Sequence, residues 1–362
     1  MLDLQTILAH VTDVDGSDLH VKAGSPPRVR VNGELRPTPF PIVEGSEVDE
    51  CLRMVMPVDR IEEFHRTGEA DFSLSIEGLG RFRGNAFRQR GNAAMVLRRV
   101  LPAALSAMDL GLPPIVTRLA EELRGMVLVT GPTGSGKTTT LAAMIDHINQ
   151  TRSGNIITIE DPIEILHPDK RSIVCQREIG TDTRDYAQAM RRVLRQDPDV
   201  ILIGEMRDTE TVGAALTAAE TGHLVLSTLH TTNATETVNR IVDFFPPFQH
   251  NQVRLTLAGV LKGVVSQRLV AHASGEGRVP AIEAMVVTGR IADRIIDPTG
   301  SGGESIEELI ADGEYHGMQT FDQSLFSLFK SGEISLRAAV AAATNPHDFR
   351  VALQAAGLLQ TA

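Results

Sequence analysis

A glycine-rich segment that begins at Gly131 has the spacing of a phosphate-binding loop. It reads Gly-Pro-Thr-Gly-Ser-Gly-Lys-Thr and matches the pattern G-x-x-x-x-G-K-[ST] in full. In such a loop the glycines let backbone N–H groups turn toward phosphate oxygens, the lysine binds the β- and γ-phosphates, and the hydroxyl binds Mg²⁺. The predicted nucleotide-binding residues are Gly131, Pro132, Thr133, Gly134, Ser135, Gly136, Lys137, Thr138 and Thr139, and Thr138 is also a predicted metal ligand.

Carboxylates follow two apolar runs farther along the chain. Glu160, Asp161 and Glu164 come after one run, and Glu205 comes after the next. In open α/β folds, ligands bind at the carboxyl ends of the strands. We interpret one of the first three carboxylates as the group that positions or deprotonates an attacking water, and Glu205 as a metal-site residue that holds Mg²⁺ through its waters. For each of them, a structural acidic turn or cap is the alternative.

Two histidines and three arginines can add hydrogen-bond donors or positive charge to a phosphate site. His223 and His230 flank a further apolar run, and either can donate a hydrogen bond to a γ-phosphate. Arg81, Arg83 and Arg98 lie near the amino terminus. Phosphoryl transfer often takes positive charge from an arginine of a neighbouring subunit. A structural histidine and a solvated surface arginine are the alternatives.

The elements that must position these residues show in the hydrophobic pattern. Short apolar runs without polar alternation are typical of strands buried on both faces of a parallel sheet. A helix is predicted after the glycine-rich loop, because Leu141, Met144, Ile145 and Ile148 share one helical face. Strands that alternate with helices indicate a doubly wound α/β domain. The four predicted strands cover residues 126–130, 156–159, 200–203 and 224–228.

The residues before this domain predict a smaller α/β unit. Arg28-Val-Arg-Val, followed by Asn32-Gly33, is a strong β-hairpin signal. Prolines at 102, 113 and 114 mark a connection. The predicted organisation is an amino-terminal domain over residues 1–101, a linker over 102–115, a nucleotide-binding domain over 116–288 and a carboxyl-terminal helical segment over 289–362.

Composition excludes several classes of protein. A length of 362 residues with 22% charged and 42% hydrophobic residues suits a chain of about two globular domains. The net charge of −11 argues against a nucleic-acid partner. Two cysteines are too few for a disulfide framework. The longest apolar stretch, 253–271, is interrupted by basic residues, so we expect no transmembrane segment and a cytoplasmic protein.

Together these motifs resemble the secretion ATPase superfamily and, within it, the type IV pilus retraction (twitching motility) ATPases of the PilT family. Besides the glycine-rich loop, the resemblance rests on residues 17–24, 81–87, 158–164, 197–208, 221–232 and 317–325. It implies an α/β fold with an amino-terminal PAS-like domain, a RecA-like P-loop ATPase domain and carboxyl-terminal helices. The implied activity is hydrolysis of ATP with Mg²⁺.

The resemblance also assigns roles and partners. The water-activating glutamate of the family falls on Glu164, its atypical Walker B glutamate on Glu205 and its His-box histidine on His230. Its amino-terminal arginines fall on Arg81, Arg83 and Arg98. The implied assembly is a homohexamer, peripheral at the inner face of the cytoplasmic membrane. There it acts on the pilus machinery through an inner-membrane platform protein and drives the loss of pilin from the fibre.

One segment departs from the retraction pattern. The best-known retraction ATPases carry an Ala-Ile-Arg-Asn-Leu-Ile-Arg-Glu-like helix, whereas residues 288–298 read Thr-Gly-Arg-Ile-Ala-Asp-Arg-Ile-Ile-Asp-Pro. A pilus-assembly or type II secretion ATPase of the same superfamily is therefore the alternative. Against it, the chain lacks the four-cysteine zinc motif that is common in those proteins.

Overall fold

The computed structural model describes residues 2–100, 104–298 and 303–359. These residues form two compact units, Met1–Ala103 with Glu164–Leu166, and Ala104–Ile163 with His167–Ala362. The predicted boundary between residues 101 and 102 lies outside the described residues.

The first unit contains one antiparallel sheet of six strands with helices packed against it. The strand order is β3-β2-β1-β6-β5-β4. Its elements are α1 (Leu4–Asp13), β1 (Asp18–Lys22), β2 (Arg28–Val31), β3 (Glu34–Pro37), α2 (Gly45–Val55), α3 (Val58–Thr67), β4 (Glu69–Ile76), β5 (Gly80–Gln89) and β6 (Asn92–Arg99).

The predicted hairpin joins β2 and β3. Val31 pairs with Glu34, so Asn32 and Gly33 form a two-residue loop. Both loop residues have positive φ, +50° and +83°. This geometry is that of a type I′ turn, whose twist matches the twist of the flanking strands.

The second unit contains a sheet of seven strands in the order β13-β12-β7-β11-β10-β8-β9. All neighbouring strands are parallel except β12 and β13. The elements that build this sheet and its covering helices are α4 (Pro114–Ala120), β7 (Gly125–Thr130), α5 (Lys137–Thr151), β8 (Asn155–Glu160), β9 (Ile173–Glu178), α6 (Tyr186–Val193), β10 (Val200–Ile203), α7 (Thr209–Glu220), β11 (Leu224–Leu229), α8 (Ala234–Asp243), α9 (His250–Val260), β12 (Leu261–Ala271) and β13 (Arg278–Val286).

Helices cover both faces of this sheet, as the apolar runs predict. All residues of β7, β10 and β11 are buried. Val127 and Val129 pack with the predicted apolar face of α5, while Met126 and Leu128 pack into the core on the opposite face. Each strand therefore needs apolar side chains in both directions, which explains the absence of alternation. The α/β fold class is confirmed.

The carboxyl-terminal segment is helical. Its helices are α10 (Gly289–Ile296), α11 (Ile306–Ala311), α12 (Phe321–Lys330), α13 (Leu336–Ala342) and α14 (Pro346–Ala355). The helix α10 lies where the sequence departs from the retraction pattern, and it buries Ile291 and Ile295. The loop predicted at 298–303 falls largely on residues 299–302, which are outside the described part of the chain. Within the described residues, no helix combines the length and the apolar character needed to cross a membrane.

Candidate active site

The phosphate-binding loop lies between β7 and α5. Gly131 and Gly136 have φ angles of +141° and +90°, which a residue with a side chain rarely adopts. Nζ of Lys137 donates hydrogen bonds to the carbonyl oxygens of Gly131, at 2.8 Å, and Pro132, at 3.0 Å. The lysine ammonium therefore lies at the phosphate-binding loop, as the motif predicts.

The chemistry of the loop suits an anionic group. Burial lowers the pKa of Lys137, and the negative charge of Glu205 acts in the opposite direction. The hydroxyl oxygen of Ser135 is buried and has no hydrogen-bond partner among the described residues. The helix α5 begins without a side-chain cap and without an acidic residue in its first turn. A phosphate group would satisfy the donors at such a helix start.

Glu205 forms the centre of a charged cluster beside this loop. It follows β10, and its carboxylate is ion-paired with Nη2 of Arg207. The other oxygen, Oε2, lies 3.4 Å from Nε2 of His230. The hydrogen bond to Glu205 raises the pKa of Arg207. Since β7, β10 and β11 are parallel, their carboxyl ends bring the loop, Glu205 and His230 to one edge of the sheet.

His223 lies at the amino end of β11, on the side of the sheet away from the phosphate-binding loop. Its candidate role at the γ-phosphate is therefore wrong. Its carbonyl oxygen accepts a hydrogen bond from the N–H of Gly125, the first residue of β7. The six residues of β11 separate it from His230, about 20 Å at the usual rise of a strand. Its ring nitrogen Nδ1 lies 2.9 Å from the carbonyl oxygen of Ala218. His223 therefore has the structural role that was its alternative.

The three carboxylates at the end of β8 and in the segment that follows it have different environments. Glu160 is buried, and its Oε1 accepts hydrogen bonds from Thr158, at 2.6 Å, and Gln176, at 3.0 Å. Asp161 and Glu164 are exposed. A buried carboxylate that accepts two side-chain hydrogen bonds is suited to a structural role. Asp161 and Glu164 therefore remain the candidates for the group that activates the attacking water.

Glu164 groups with the first unit, and within that unit it lies near one of the candidate arginines. Its Oε1 is 4.0 Å from Nη1 of Arg83. Nη1 of Arg81 donates to the hydroxyl of Ser75 at 3.3 Å.

Arg98, the third candidate arginine, has a buried carboxylate as its partner. Its Nε donates to Oδ1 of Asp18 at 2.8 Å, and Asp18 is only 5% exposed. Removing Arg98 would take away a positive charge that compensates the negative charge of this buried carboxylate. Among the three arginines, Arg98 is therefore the one with a clear structural task.

Two residues near the loop were missed by sequence reasoning. Gln267 on β12 hydrogen-bonds to the loop and to α5. Tyr186 is half-buried, and its pKa is raised by desolvation and by the negative charges of Asp161 and Glu205. The polar group Ser266-Gln267-Arg268 inside the apolar stretch 253–271 is the signal that could have identified the first. No comparable signal marks Tyr186.

Comparisons with known proteins agree with this geometry. A family model described as type II/IV secretion system protein matches residues 2–310. The type IV pilus retraction ATPase PilT of Pseudomonas aeruginosa is 43% identical over 96% of this chain and 100% of its own length. The type IV pilus ATPase PilU of the same organism is 41% identical over 98% of this chain and 92% of its own length.

A solved structure shows the same fold. The crystal structure of the pilus retraction motor PilT with bound ADP has a TM-score of 0.86 and 44% identity, and the match covers 96% of this chain and 99% of that chain. The similarity thus extends over nearly the full length of both proteins. The chain belongs to the type II/IV secretion system protein family and, within it, is an ATPase of the PilT family.

Proposed function

We propose that this chain is a motor ATPase that hydrolyses ATP to power type IV pilus retraction. The observation that carries the proposal is the end-to-end similarity to PilT, which covers 96% of this chain and 100% of that protein. Pilus assembly or type II secretion is less favoured, because the relative matched over its whole length is named for retraction.

The proposed chemistry places ATP on the phosphate loop. The backbone from Gly131 to Gly136 and the ammonium of Lys137 bind the phosphates. Glu164 positions and deprotonates the attacking water, and His230 donates a hydrogen bond toward the γ-phosphate. Loss of a proton from the water requires a carboxylate that the water can reach, and the side chain of Glu164 is 50% exposed.

Mg²⁺ fits the donors at this edge of the sheet. Thr138, at the start of α5, is exposed, and Glu205 supplies an anionic oxygen. The Glu205 carboxylate already has Arg207 and His230 as partners, which favours contact with the ion through water rather than directly. When bound, Mg²⁺ neutralises charge on the β- and γ-phosphates.

The proposed assembly is a homohexameric ring in the cytoplasm, peripheral to the inner face of the cytoplasmic membrane. Its partners are the pilus machinery and an inner-membrane platform protein. The family membership supports this proposal, and the net charge of −11 gives no reason to expect a nucleic-acid partner.

Deletion of the gene tests the direction of work. A retraction motor leaves cells with an excess of surface fibres and without twitching, and expression of the unmodified chain restores both. The Lys137→Ala variant should fail to restore them while accumulating to the same level. Cells that carry no fibres after deletion would instead identify an assembly motor, and purified chain without ATP hydrolysis would contradict both.

A further inference from the structure

Gln267 connects two parts of the phosphate-binding loop. Its side-chain amide nitrogen donates a hydrogen bond of 2.7 Å to the carbonyl oxygen of Ser135. Its side-chain oxygen accepts one of 2.7 Å from the hydroxyl of Thr140, in the first turn of α5. The side chain is 2% exposed, so both groups are satisfied without water. One amide thereby ties the end of the loop to the start of the helix.

The position of Gln267 in the sheet explains this reach. The strand β12 runs parallel to β7, and Ser266 pairs with Thr130, the last residue of β7. Gln267 is therefore level with Gly131, where the loop begins. Side chains alternate along a strand, so Gln267 points to the same face as Val265, which packs in the core beneath α5.

The same residue accounts for two glycines of the motif. A methyl group on Gly131 would lie 2.4 Å from the carbonyl oxygen of Gln267. A methyl group on Gly136 would lie 2.6 Å from its side-chain nitrogen. Both distances are far inside van der Waals contact. The loop thus packs directly on Gln267 at both of its ends.

We infer that Gln267 is a positioning residue, which holds the phosphate loop in the conformation that binds nucleotide. It acts through Ser135 and Thr140 and needs no contact with the nucleotide itself. The inference rests on the proposed ATP site. A flexible loop would lose conformational entropy on binding the phosphates. Because the two hydrogen bonds of Gln267 order the loop before the nucleotide binds, this entropy loss does not weaken binding.

Gln267→Met tests the role of the two hydrogen bonds at nearly constant volume. The variant loses both buried hydrogen bonds, so the loop is no longer held in its binding conformation. We therefore expect the Kd for fluorescent ADP and the KM for ATP to rise about tenfold. The kcat should fall less than the KM rises, because the reacting groups are unchanged. Gln267→Glu keeps the acceptor for Thr140 but places an anionic oxygen against the Ser135 carbonyl, so its Kd should rise further.

Asn149→Leu is the matched control for a merely structural role. Asn149 is a fully buried amide on the same helix, and it hydrogen-bonds to Pro168 and Lys170. It lies twelve residues after Lys137, or about 18 Å along the helix. This variant should lower the Tm and leave the Kd for fluorescent ADP within about twofold of the unmodified chain.

Thr140→Val provides a second test if Gln267→Met does not fold. It is nearly isosteric and removes only the hydroxyl that donates to Gln267, so a rise of several-fold in Kd is expected. If either variant lowers the Tm as Asn149→Leu does and leaves the Kd unchanged, the positioning role is wrong. If the unmodified chain does not bind fluorescent ADP, or binds it as well as Lys137→Ala does, the proposed ATP site itself fails.

Discussion

At the residue scale, substitutions of Lys137 and Glu164 should affect nucleotide binding and hydrolysis differently. Lys137→Ala removes a buried ammonium from the phosphate loop and should weaken ATP binding. Glu164→Gln keeps the shape of the side chain but cannot accept a proton. It should retain ATP binding and lose hydrolysis by about 10²–10⁴-fold, the usual contribution of a general base. Titration with a fluorescent nucleotide and a phosphate-release assay distinguish the two effects.

Asp161→Asn is the control for Glu164→Gln, since Asp161 is an exposed carboxylate in the same loop. It should retain most of the hydrolysis rate. Equal losses in the two variants would show that the loop needs negative charge rather than a base at Glu164. A Glu164→Gln variant that hydrolyses ATP at the parental rate would remove the assignment altogether.

A second residue-scale prediction concerns His167 and pH. The ring is 8% exposed, and its Nδ1 has no hydrogen-bond partner among the described residues. Burial lowers the pKa of His167 from 6.5 to about 4; Asp146 acts against this shift and Lys170 adds to it. Below pH 6.5 the unfolded chain therefore binds a proton that the folded chain refuses. The free energy of unfolding should fall as the pH decreases from 6.5 to 4, by up to about 3 kcal/mol from this residue.

Urea unfolding at a series of pH values measures this effect. His167→Gln has no titrating ring, so the difference in unfolding free energy between it and the unmodified chain should change between pH 6.5 and 4 and stay constant above pH 7. Burial raises the pKa of Glu283 to about 7. This residue is present in both proteins, so its contribution cancels in the difference. A difference for His167→Gln that stays constant between pH 6.5 and 4 would contradict the proposed proton linkage.

At the element scale, the predictable parts are those with a local signal. Asn32-Gly33 specifies its turn through two positive φ angles, and the glycine-rich loop specifies the junction of β7 and α5. The strands β9 and β12 escaped prediction for different reasons. Half of β9 is polar, and it lies at the sheet edge. The strand β12 begins directly after α9 within one apolar stretch, so length and periodicity do not separate the helix from the strand.

Contacts between distant parts of the chain were also beyond prediction. Gln267 lies 132 positions after Ser135, its partner. The pairing of Glu205 with His230 could be expected only after the strand order was known, since it depends on β10 and β11 being neighbours. The placement of His223 at the far edge follows from the same strand direction. Residue types and spacing thus indicate candidates, and topology decides which of them meet.

The start of α8 offers a prediction at this scale. Asn233 caps the helix by accepting a hydrogen bond from the N–H of Glu236, at 2.8 Å. Asn233→Ala should cost about 1 kcal/mol of stability. Because His230 lies only three residues earlier, loosening this turn should also lower kcat several-fold. Asn345→Ala removes the cap of α14 and should cost similar stability without changing kcat. If kcat is unchanged in both variants, the role of His230 in hydrolysis does not depend on the capped start of α8.

At the scale of the whole molecule, the proposed homohexameric ring leads to a prediction about the amino-terminal arginines. We expect Arg81 and Arg83 of one subunit to act on the ATP of a neighbour. An arginine supplied in this way contributes about 10³–10⁵-fold to phosphoryl transfer. Arg98 is left unchanged in the test, because its guanidinium compensates the buried carboxylate of Asp18. The experiment combines two proteins that we expect to be inactive by themselves, Lys137→Ala and the double variant Arg81→Ala with Arg83→Ala.

In rings mixed at equal ratio, hydrolysis should return in part. A working site needs a subunit with an intact Lys137 beside a neighbour with intact arginines, and random mixing into a cyclic ring produces this pair at about a quarter of the sites. Size-exclusion chromatography with differently tagged subunits must show that the mixed rings form. Arg36→Ala, which removes an exposed arginine paired with Glu34, should leave hydrolysis unchanged. A double variant that hydrolyses ATP by itself would show that Arg81 and Arg83 have no role in hydrolysis. If it is inactive and mixed rings form without recovering activity, the two arginines act within their own subunit, because a site shared between subunits would have been reconstituted.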